Sequence, residues 1–388
     1  MTPQARVQAA IELLDSIIIA ARDQGAAADT LIARYFATRR YAGSKDRRAV
    51  RELVYDAIRL AGPRPATGRA AMVALARRDA DLAARFDGSA HAPEVIAADE
   101  VGAQVGVAPT WLTKRLTTSG INAAEQAALI ARAPLDIRLN DRSGDIEIGE
   151  PIAGLPAARR LPAGTNLDQN PAYHDGAFEV QDAGSQIVTL AVNALPGQRI
   201  VDLCAGAGGK TLALAATMLN QGAILATDTD RTRLSRLAPR AARAQVTIVE
   251  PRLLDPSREA DALGDWQNNA DTVMIDAPCS GTGTWRRNPE ARWRLTPDRL
   301  TRLAMTQRHV LSVGAKLVKP GGALVYVVCS LLDEEGAGQV AAFLASHPGW
   351  HPETLNLPAG RVHGPGVRLT PAHDATDGFF VARLVRPC

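Results

Sequence analysis

Two cysteine–serine pairs are the residues best suited to covalent chemistry in this chain of 388 residues. Cys279-Ser280 follows the apolar run 272–275, and Cys329-Ser330 follows the apolar run 323–328. A thiolate is a strong nucleophile, and a cysteine in a loop after a strand is accessible to a substrate. Proline, serine and glycine around Cys279 would also suit an ordinary turn. The second Cys-Ser pair after a second strand favours nucleophilic chemistry over the ordinary turn.

A glycine-rich turn predicts a site for a nucleotide-like ligand. Residues 201–211 read Val-Asp-Leu-Cys-Ala-Gly-Ala-Gly-Gly-Lys-Thr, a buried strand followed by small residues and a helix. A Walker A loop would need glycine where Cys204 stands, and a strict dinucleotide fingerprint would need glycine in place of Thr211. Asp228, at the end of the next apolar run, is suitably placed to bind a ribose. S-adenosylmethionine and NAD both fit this pattern.

An alternation of strands and helices from about residue 179 onward would bring these residues together. Apolar runs recur at 199–203, 223–227, 246–249, 272–275, 323–328 and 379–384. A doubly wound parallel sheet binds its ligand beyond the carboxyl ends of its strands. The residues at those ends are 202–210, Asp228, Glu250, 276–280 and Cys329-Ser330. Residues 176–388 are therefore predicted to form an α/β catalytic domain, and residues 96–175 a small mixed α/β connector.

Residues 1–95 are predicted to form a separate helical domain with a basic surface. Between residues 31 and 80 there are 12 Lys and Arg against 4 Asp and Glu, a local balance of +8. The densest cluster contains Arg39, Arg40, Lys45, Arg47 and Arg48. This cluster could be a solvated helix face, with Ser44 and Asp46 capping the helix. It could also anchor RNA through its phosphates.

A second basic segment, 284–310, has 7 Arg against 2 acidic residues and includes two tryptophans. Arginine for phosphates and tryptophan for stacking would suit single-stranded or flipped RNA. Trp285, Arg286 and Arg287 are the candidate contacts. A solvated helix with tryptophans in the core is the alternative.

The composition restricts the class of protein only weakly. A net charge of +3 and a pI near 8.8 are only mildly basic. The 4 cysteines form no CxxC pair and have no histidine spacing suited to zinc, so we expect neither a disulfide framework nor a metal site. No run is uniformly apolar over the ~20 residues that a membrane span needs. We expect a cytoplasmic monomer.

Three segments in combination resemble the signature sequences of the Nol/Nop/Sun family of RNA cytosine-C5 methyltransferases. They are residues 202–211, 276–283 and 329–335, and the similarity runs from 181–186 to 376–384. Residues 42–55 are similar to the NusB-like domain of the bacterial RsmB-type subgroup, which acts on small-subunit ribosomal RNA. The resemblance implies an all-helical NusB-like domain, a small linker domain and a Rossmann-like methyltransferase domain.

The resemblance also implies roles for individual residues. Cys329 would add to C6 of cytosine, Cys279 would assist release of the adduct, and Asp276 would hydrogen-bond the base near N3. The cofactor would be S-adenosylmethionine, held by Cys204, Ala205, Gly206, Ala207, Gly208, Gly209, Lys210, Asp228, Glu250 and Asp276. Lys210 could instead be a surface charge at the start of a helix.

The implied partner is RNA, first of all small-subunit (16S) ribosomal RNA. Transfer RNA is an alternative substrate, and a non-catalytic RNA-binding assembly factor is the alternative class. The chain departs from the family pattern at Gly206-Ala207, where Ala-Pro is usual, and at Glu250, where Asp is common.

Overall fold

The computed structural model describes residues 1–140, 146–167 and 169–388, and the chain divides into two compact units. We call Met1–Ala131 with Thr284–Thr296 the helical unit. We call Arg132–Gly283 with Pro297–Cys388 the sheet unit. Among the described residues, no helix combines the length and apolar character needed to cross a membrane.

The helical unit packs amphipathic helices around an apolar core. Its helices are α1 (Pro3–Arg22), α2 (Ala28–Ala37), α3 (Ser44–Leu60), α4 (Gly68–Ala76), α5 (Ala80–Ala83), α6 (Thr110–Thr118) and α7 (Ala123–Ala128). Leu14 and Ile17 of α1 are fully buried in the same core as Ile58 of α3 and Met72 of α4. Burial of such side chains contributes about 1.5–3 kcal/mol each, so these helices are stabilised mainly by packing.

The helical unit extends beyond the predicted boundary at residue 95. Ala61 forms an isolated β-bridge with Val105, and Gly62 N–H donates to the carbonyl of Gln104 at 3.0 Å. These long-range backbone contacts attach the segment after residue 95 to the end of α3.

The segment Thr284–Thr296, which contains a 3₁₀ helix at Pro289–Arg294, also belongs to the helical unit. The fully buried Arg292 guanidinium donates to the carbonyl of Ala61 at 2.8 Å, beside the carboxyl end of α3. Glu290 accepts from the N–H of Ala28, the first residue of α2, at 3.0 Å. Two charged residues of this segment therefore satisfy backbone groups that helix ends leave unpaired.

A small antiparallel sheet opens the sheet unit. Its strands are β1 (Leu135–Leu139), β2 (Glu150–Ile152), β3 (Leu155–Leu161) and β4 (Phe178–Val180), in the order β2-β3-β1-β4. Helix α8 (Pro171–His174) precedes β4.

The large sheet contains the predicted α/β pattern. Its strands are β5 (Arg199–Asp202), β6 (Ala223–Asp228), β7 (Val249–Leu253), β8 (Ala270–Asp276), β9 (Val318–Val328), β10 (His351–Glu353), β11 (Arg361–His363), β12 (Gly366–Leu369) and β13 (Phe379–Val385). The order is β11-β12-β13-β9-β8-β5-β6-β7, with β10 paired to β13. Strands β5 to β9 run parallel, whereas β13 is antiparallel to β9. The direction of winding reverses between β5 and β8.

Helices of the sheet unit are α9 (Ala183–Leu190), α10 (Gly209–Thr217), α11 (Arg231–Leu234), α12 (Leu237–Arg243), α13 (Glu259–Leu263), α14 (Pro297–Leu317), α15 (Ala337–Ser346) and α16 (Pro371–Asp374). Short 3₁₀ helices span Gly264–Trp266 and Thr282–Thr284. The side chains of consecutive strand residues pack into two different hydrophobic cores. Val201 and Val273 lie in one core, and Ile200 and Met274 lie in the other. The sheet is buried on both faces, which confirms the predicted Rossmann-like α/β architecture.

Candidate active site

A cavity lies at the carboxyl ends of β5 and β8, where the strand order reverses. Its lining residues come from the turn after β5, the end of β8 and helices α9 to α11: Ser185, Asp202, Cys204, Ala205, Ala207, Gly209, Lys210, Arg233 and Asp276. Six of the residues predicted to hold the cofactor are in this set: Cys204, Ala205, Ala207, Gly209, Lys210 and Asp276. The sheet topology therefore gathers these residues, as expected at a switch point.

Glycines shape the turn after β5. Gly206 has φ of 56°, and a Cβ there would lie 2.6 Å from the Arg233 guanidinium. Gly208 has φ of 83°, and a Cβ there would lie 2.1 Å from Leu237. A Cβ on Gly209, by contrast, would meet no atom within 4 Å. The turn is therefore tightly packed from behind and leaves room for a ligand above Gly209.

Asp228 fixes the same turn from the end of β6. Its Oδ2 accepts from the N–H of Gly206 at 2.8 Å, and its Oδ1 accepts from the N–H of Asp230 at 2.8 Å. With 8% of its surface exposed, the residue is buried directly beside the turn.

Asp202 is a buried carboxylate in the cavity wall. Its Oδ2 accepts from the Thr211 hydroxyl at 2.6 Å, whereas its Oδ1 has no hydrogen-bond partner. Burial raises the pKa of Asp202 to about 7, and the neighbouring Asp276 adds to this rise. An unpaired buried carboxyl with this pKa favours a ligand that donates a hydrogen bond or carries positive charge.

Lys210 and Asp276 form an ion pair across the cavity, with Nζ and Oδ2 2.7 Å apart. Burial by itself would lower the pKa of Lys210, but Asp276 opposes it, and the net pKa lies above the usual lysine value. A negative charge at Cys329 acts on Lys210 in the same direction. With its side chain 11% exposed, Lys210 is not a surface charge.

The two predicted catalytic thiols lie next to each other. Cys279 Sγ and Cys329 Sγ are 3.3 Å apart, and both cysteines are free and partly buried. The hydrogen bond to the Cys329 sulfur raises the pKa of Cys279 well above its usual value, and burial acts in the same direction. Cys279 therefore remains a thiol that can donate a hydrogen bond to Cys329.

Glu250 is not brought to the cavity. The expectation that it ends a strand was wrong: β7 runs from Val249 to Leu253, so Glu250 is its second residue. Its side chain is 57% exposed and pairs with Arg252 at 2.5 Å. The carboxyl end of β7 lies farther on, where Leu254 N–H donates to the carbonyl of Asp228 at 2.9 Å.

The second basic segment does not present its tryptophans to solvent. Trp285 is fully buried and Trp293 is 3% exposed within the core of the helical unit. Arg286 is 5% exposed, and Arg287 is half-buried. The prediction that Trp285 and Arg286 contact RNA is therefore corrected, because neither side chain is accessible for stacking or for a phosphate.

The basic cluster of the helical unit is mostly exposed. Arg40, Lys45, Arg47 and Arg48 are exposed, and Arg39 lies over the Tyr35 ring at 3.6 Å. Asp46 accepts from the N–H of Gly43 at 3.2 Å, so the predicted helix-capping role is confirmed for Asp46. The helix is capped by the buried Asp46, and the four exposed cations of the cluster can still contact a phosphate.

The sequence analysis gave no role to three of the lining residues, although it placed Asp202 at a strand end that faces the ligand. Asp202 begins the glycine turn, and Ser185 lies in the 181–186 segment that carried the family resemblance, so both had a signal. Arg233 lies on the short helix that follows the carboxyl end of β6, where side chains of a doubly wound fold face the ligand. Among the described residues, no cluster of His, Cys, Asp and Glu suits a metal ion.

Comparison with known proteins gives consistent similarities. The sequence model of the family described as "16S rRNA methyltransferase RsmB/F" matches residues 189–385. A protein of Synechocystis named "Probable ribosomal RNA small subunit methyltransferase B" is 34% identical over 300 residues, covering 71% of this chain and 66% of the relative. The Erwinia tasmaniensis ribosomal RNA small subunit methyltransferase B is 31% identical, covering 74% of this chain and 68% of the relative. The matched part of the chain thus covers about two thirds of the length of these relatives, and slightly less than two thirds of the Synechocystis protein.

Solved structures show the same fold. A crystal structure of PH0851 matches 99% of both chains with a TM-score of 0.77 and 24% identity. The structure of NSun6 from Pyrococcus horikoshii with SFG has a TM-score of 0.52 and 28% identity, covering 60% of this chain and 58% of NSun6.

Proposed function

Because the chain belongs to the 16S rRNA methyltransferase RsmB/F family, we propose that it methylates C5 of a cytidine in small-subunit ribosomal RNA. The observation that carries the proposal is the 3.3 Å approach of Cys279 Sγ and Cys329 Sγ in the unit that holds the cofactor cavity. A non-catalytic RNA-binding factor would have no use for this thiol pair.

S-adenosylmethionine is the cofactor of this family, and the cavity suits it. The ligand carries a sulfonium and an ammonium group, and the buried carboxyl of Asp202 offers an unpaired oxygen to a cation. We assign the turn 204–210 to the methionine part and Asp228 to the ribose. When bound, the cofactor supplies an electrophilic methyl group.

Cys329 is assigned as the nucleophile. C5 of cytosine is a poor nucleophile, but addition of a thiolate to C6 gives C5 enamine character. Lys210 stabilises a thiolate at Cys329, since the two charges attract each other. The Cys279 S–H stabilises the same thiolate by a hydrogen bond.

Asp276 is assigned to the cytosine ring. Its side chain is 31% exposed, so it can reach a base near N3 while it stays paired with Lys210. A carboxylate there accepts from the exocyclic amine and orients the ring for attack at C6.

Cys279 is assigned to breakdown of the adduct. Once Cys329 has become a thioether, the sulfur–sulfur hydrogen bond that raises the pKa of Cys279 is weakened. Cys279 can then lose its proton to water more easily, and its thiolate takes the C5 proton. The electrons of the C5–H bond form the C5–C6 double bond, the C6–S bond breaks, and Cys329 leaves as a thiolate.

The helical unit is assigned to RNA binding, as a NusB-like domain, through its exposed cations Arg40, Lys45, Arg47 and Arg48. A cytoplasmic location stays a prediction.

Bisulfite mapping tests the substrate. Ribosomal and transfer RNA are compared from cells that lack the protein and from cells complemented with native protein or Cys329→Ala. We expect one or more cytidines of the small-subunit RNA to lose protection without the native protein. If the protected cytidines change only in transfer RNA, then transfer RNA is the substrate and the proposed ribosomal substrate is wrong. If they change in neither RNA, the proposed activity is refuted.

A further inference from the structure

The side chain of Glu335 connects the two cysteine loops. Glu335 is fully buried, and its carboxylate accepts from the N–H of Ser280 at 2.9 Å and from the Ser330 hydroxyl at 2.6 Å. The Ser280 hydroxyl also donates to it. Ser280 directly follows Cys279, and Ser330 directly follows Cys329. One carboxylate therefore binds the residue after each thiol.

Further hydrogen bonds hold the same loops in register. Ser280 Oγ and Ser330 Oγ are 3.1 Å apart, and Ser330 Oγ lies 3.2 Å from Thr282 Oγ1. The N–H of Gly283 donates to the carbonyl of Cys329 at 3.0 Å. Gln307 of α14 adds a bond of 3.0 Å to the Glu335 carboxylate.

Burial of this charge has a high free-energy cost unless it is fully hydrogen-bonded. The named donors to Glu335 are all uncharged, so hydrogen bonds rather than an ion pair solvate it. A serine–serine contact alone would join the loops without a buried charge. Joining the two loops therefore does not by itself require a buried carboxylate, which suggests a further role for Glu335.

We propose that Glu335 is a positioning residue that clamps the loops of Cys279 and Cys329 through Ser280 and Ser330 and so holds the two sulfurs in contact. This assignment rests on the proposed cysteine chemistry. The clamp has an electrostatic consequence as well: the negative charge of Glu335 disfavours a thiolate at Cys279 and adds to the rise of its pKa. Glu335 thereby helps to keep Cys279 protonated and leaves the nucleophilic role to Cys329.

Alkylation of the full-length chain by iodoacetamide tests the clamp without RNA or cofactor. The rate at each cysteine is followed by peptide mass spectrometry from about pH 6 to pH 10, a range that brackets the ordinary thiol pKa. The variants are Glu335→Gln and, as the matched control, its exposed neighbour Glu334→Gln. The exposed Cys388 is the internal standard in every sample.

In Glu335→Gln we expect Cys279 to react at lower pH than in the native protein. Below the pKa, each unit of pKa lost should make the reaction about threefold faster at fixed pH, because the larger thiolate fraction is partly offset by the weaker nucleophilicity of a less basic thiolate. Cys388 and the Glu334→Gln protein should be unchanged. If Glu335→Gln unfolds in a thermal melt, Ser330→Ala removes one arm of the clamp and leaves the charge in place. It should loosen the contact between the sulfurs and so lower the pKa of Cys279, because the hydrogen bond to Cys329 raises that pKa. Native profiles at both cysteines in a folded variant would overturn the proposal.

RNA methylation separates this proposal from the proposed function. With the clamp loosened we expect kcat to fall at least tenfold with little change in KM for RNA. If alkylation shifts while neither native protein nor variant methylates RNA, the proposed function fails and the geometric role of Glu335 stands.

Discussion

Lys210 Nζ lies 2.7 Å from Asp276 Oδ2, so a single ion pair joins the turn after β5 to the end of β8. These are the strands between which the winding reverses. The ion pair therefore spans the crevice in which a doubly wound sheet binds its ligand. It also places a cation where the proposed chemistry generates a thiolate and anionic character on the base.

Replacement of Lys210 by methionine should lower methyl transfer by about 10- to 100-fold, since a hydrogen bond to a charged group is worth roughly 1.5–3 kcal/mol. Both Asp276 and the Cys329 thiolate would lose their cation. Lys319 is the control, because it pairs with Asp271 near the opposite end of β8 and is 48% exposed. Equal losses in Lys210→Met and Lys319→Met would exclude a local role for Lys210.

Asp228→Asn should weaken binding of S-adenosylmethionine by roughly 1.5–3 kcal/mol, because it removes a charge-assisted hydrogen bond to the ribose. Glu250→Gln should leave the affinity unchanged, since that side chain is exposed and paired with Arg252. Isothermal titration calorimetry measures both, with NAD as a ligand that should not bind. Tight NAD binding by the native protein would contradict the cofactor assignment.

The raised pKa of Asp202 predicts opposite pH dependences for stability and for cofactor binding. The pKa rises on folding from 3.8 to about 7, so the folded chain keeps a proton that the unfolded chain has lost. This contribution to stability is complete below pH 3.8 and is lost as the pH rises to about 7. Relative to native protein, Asp202→Asn should therefore gain free energy of unfolding across that range, by up to about 4 kcal/mol.

Cofactor binding should behave in the reverse sense, because a cationic ligand favours the ionised carboxylate. We expect the affinity of native protein for S-adenosylmethionine to rise between about pH 6 and pH 8, with a proton released on binding. Calorimetry in buffers of different ionisation enthalpy measures that proton. A native pH dependence retained in Asp202→Asn would show that another group titrates.

Much of the candidate site was predictable because local sequence marks it. The glycine turn, Asp228 and the two Cys-Ser pairs all follow apolar strand runs, and parallel strands bring their carboxyl ends to one edge. The 3.3 Å distance between Cys279 and Cys329 was not predictable, since it depends on the Glu335 network across loops 50 residues apart.

The errors also have physical causes. The apolar run 246–249 predicted a strand that ends before Glu250, but β7 begins where that run ends. The strand itself contains Glu250, Pro251 and Arg252, as an edge strand can. The segment Thr284–Thr296 resembles a basic RNA contact by composition. Arg292 and Arg294 of this segment bind carbonyls of distant residues, as Arg294 does with Ala26 at 2.7 Å, and no local pattern encodes such contacts.

Replacement of Arg40, Lys45, Arg47 and Arg48 by glutamine should weaken RNA binding and flatten its salt dependence. Each lost phosphate contact reduces the slope of log K against log salt by about 0.7–0.9. Arg22→Gln is the control, an exposed arginine already bonded to Asp23. These substitutions are cleaner than deletion of residues 1–95, which would expose Trp293 of the helical core. An unchanged slope would identify the cluster as a solvated face.

The two thiols should give different products when each is removed. Cys329→Ala lacks the nucleophile, so we expect neither methyl transfer nor a covalent complex. In Cys279→Ala, Cys329 should still add to C6, and C5 of the cytosine should still receive the methyl group. Release of the RNA from Cys329 is slowed because the thiol that removes the C5 proton is missing. The adduct should then persist as a protein–RNA band that resists denaturation on a gel. Cys388→Ala is the control, since Cys388 is an exposed free thiol and does not line the cavity. A band with Cys329→Ala but not with Cys279→Ala would reverse the two roles, and no band with either variant would exclude the covalent mechanism.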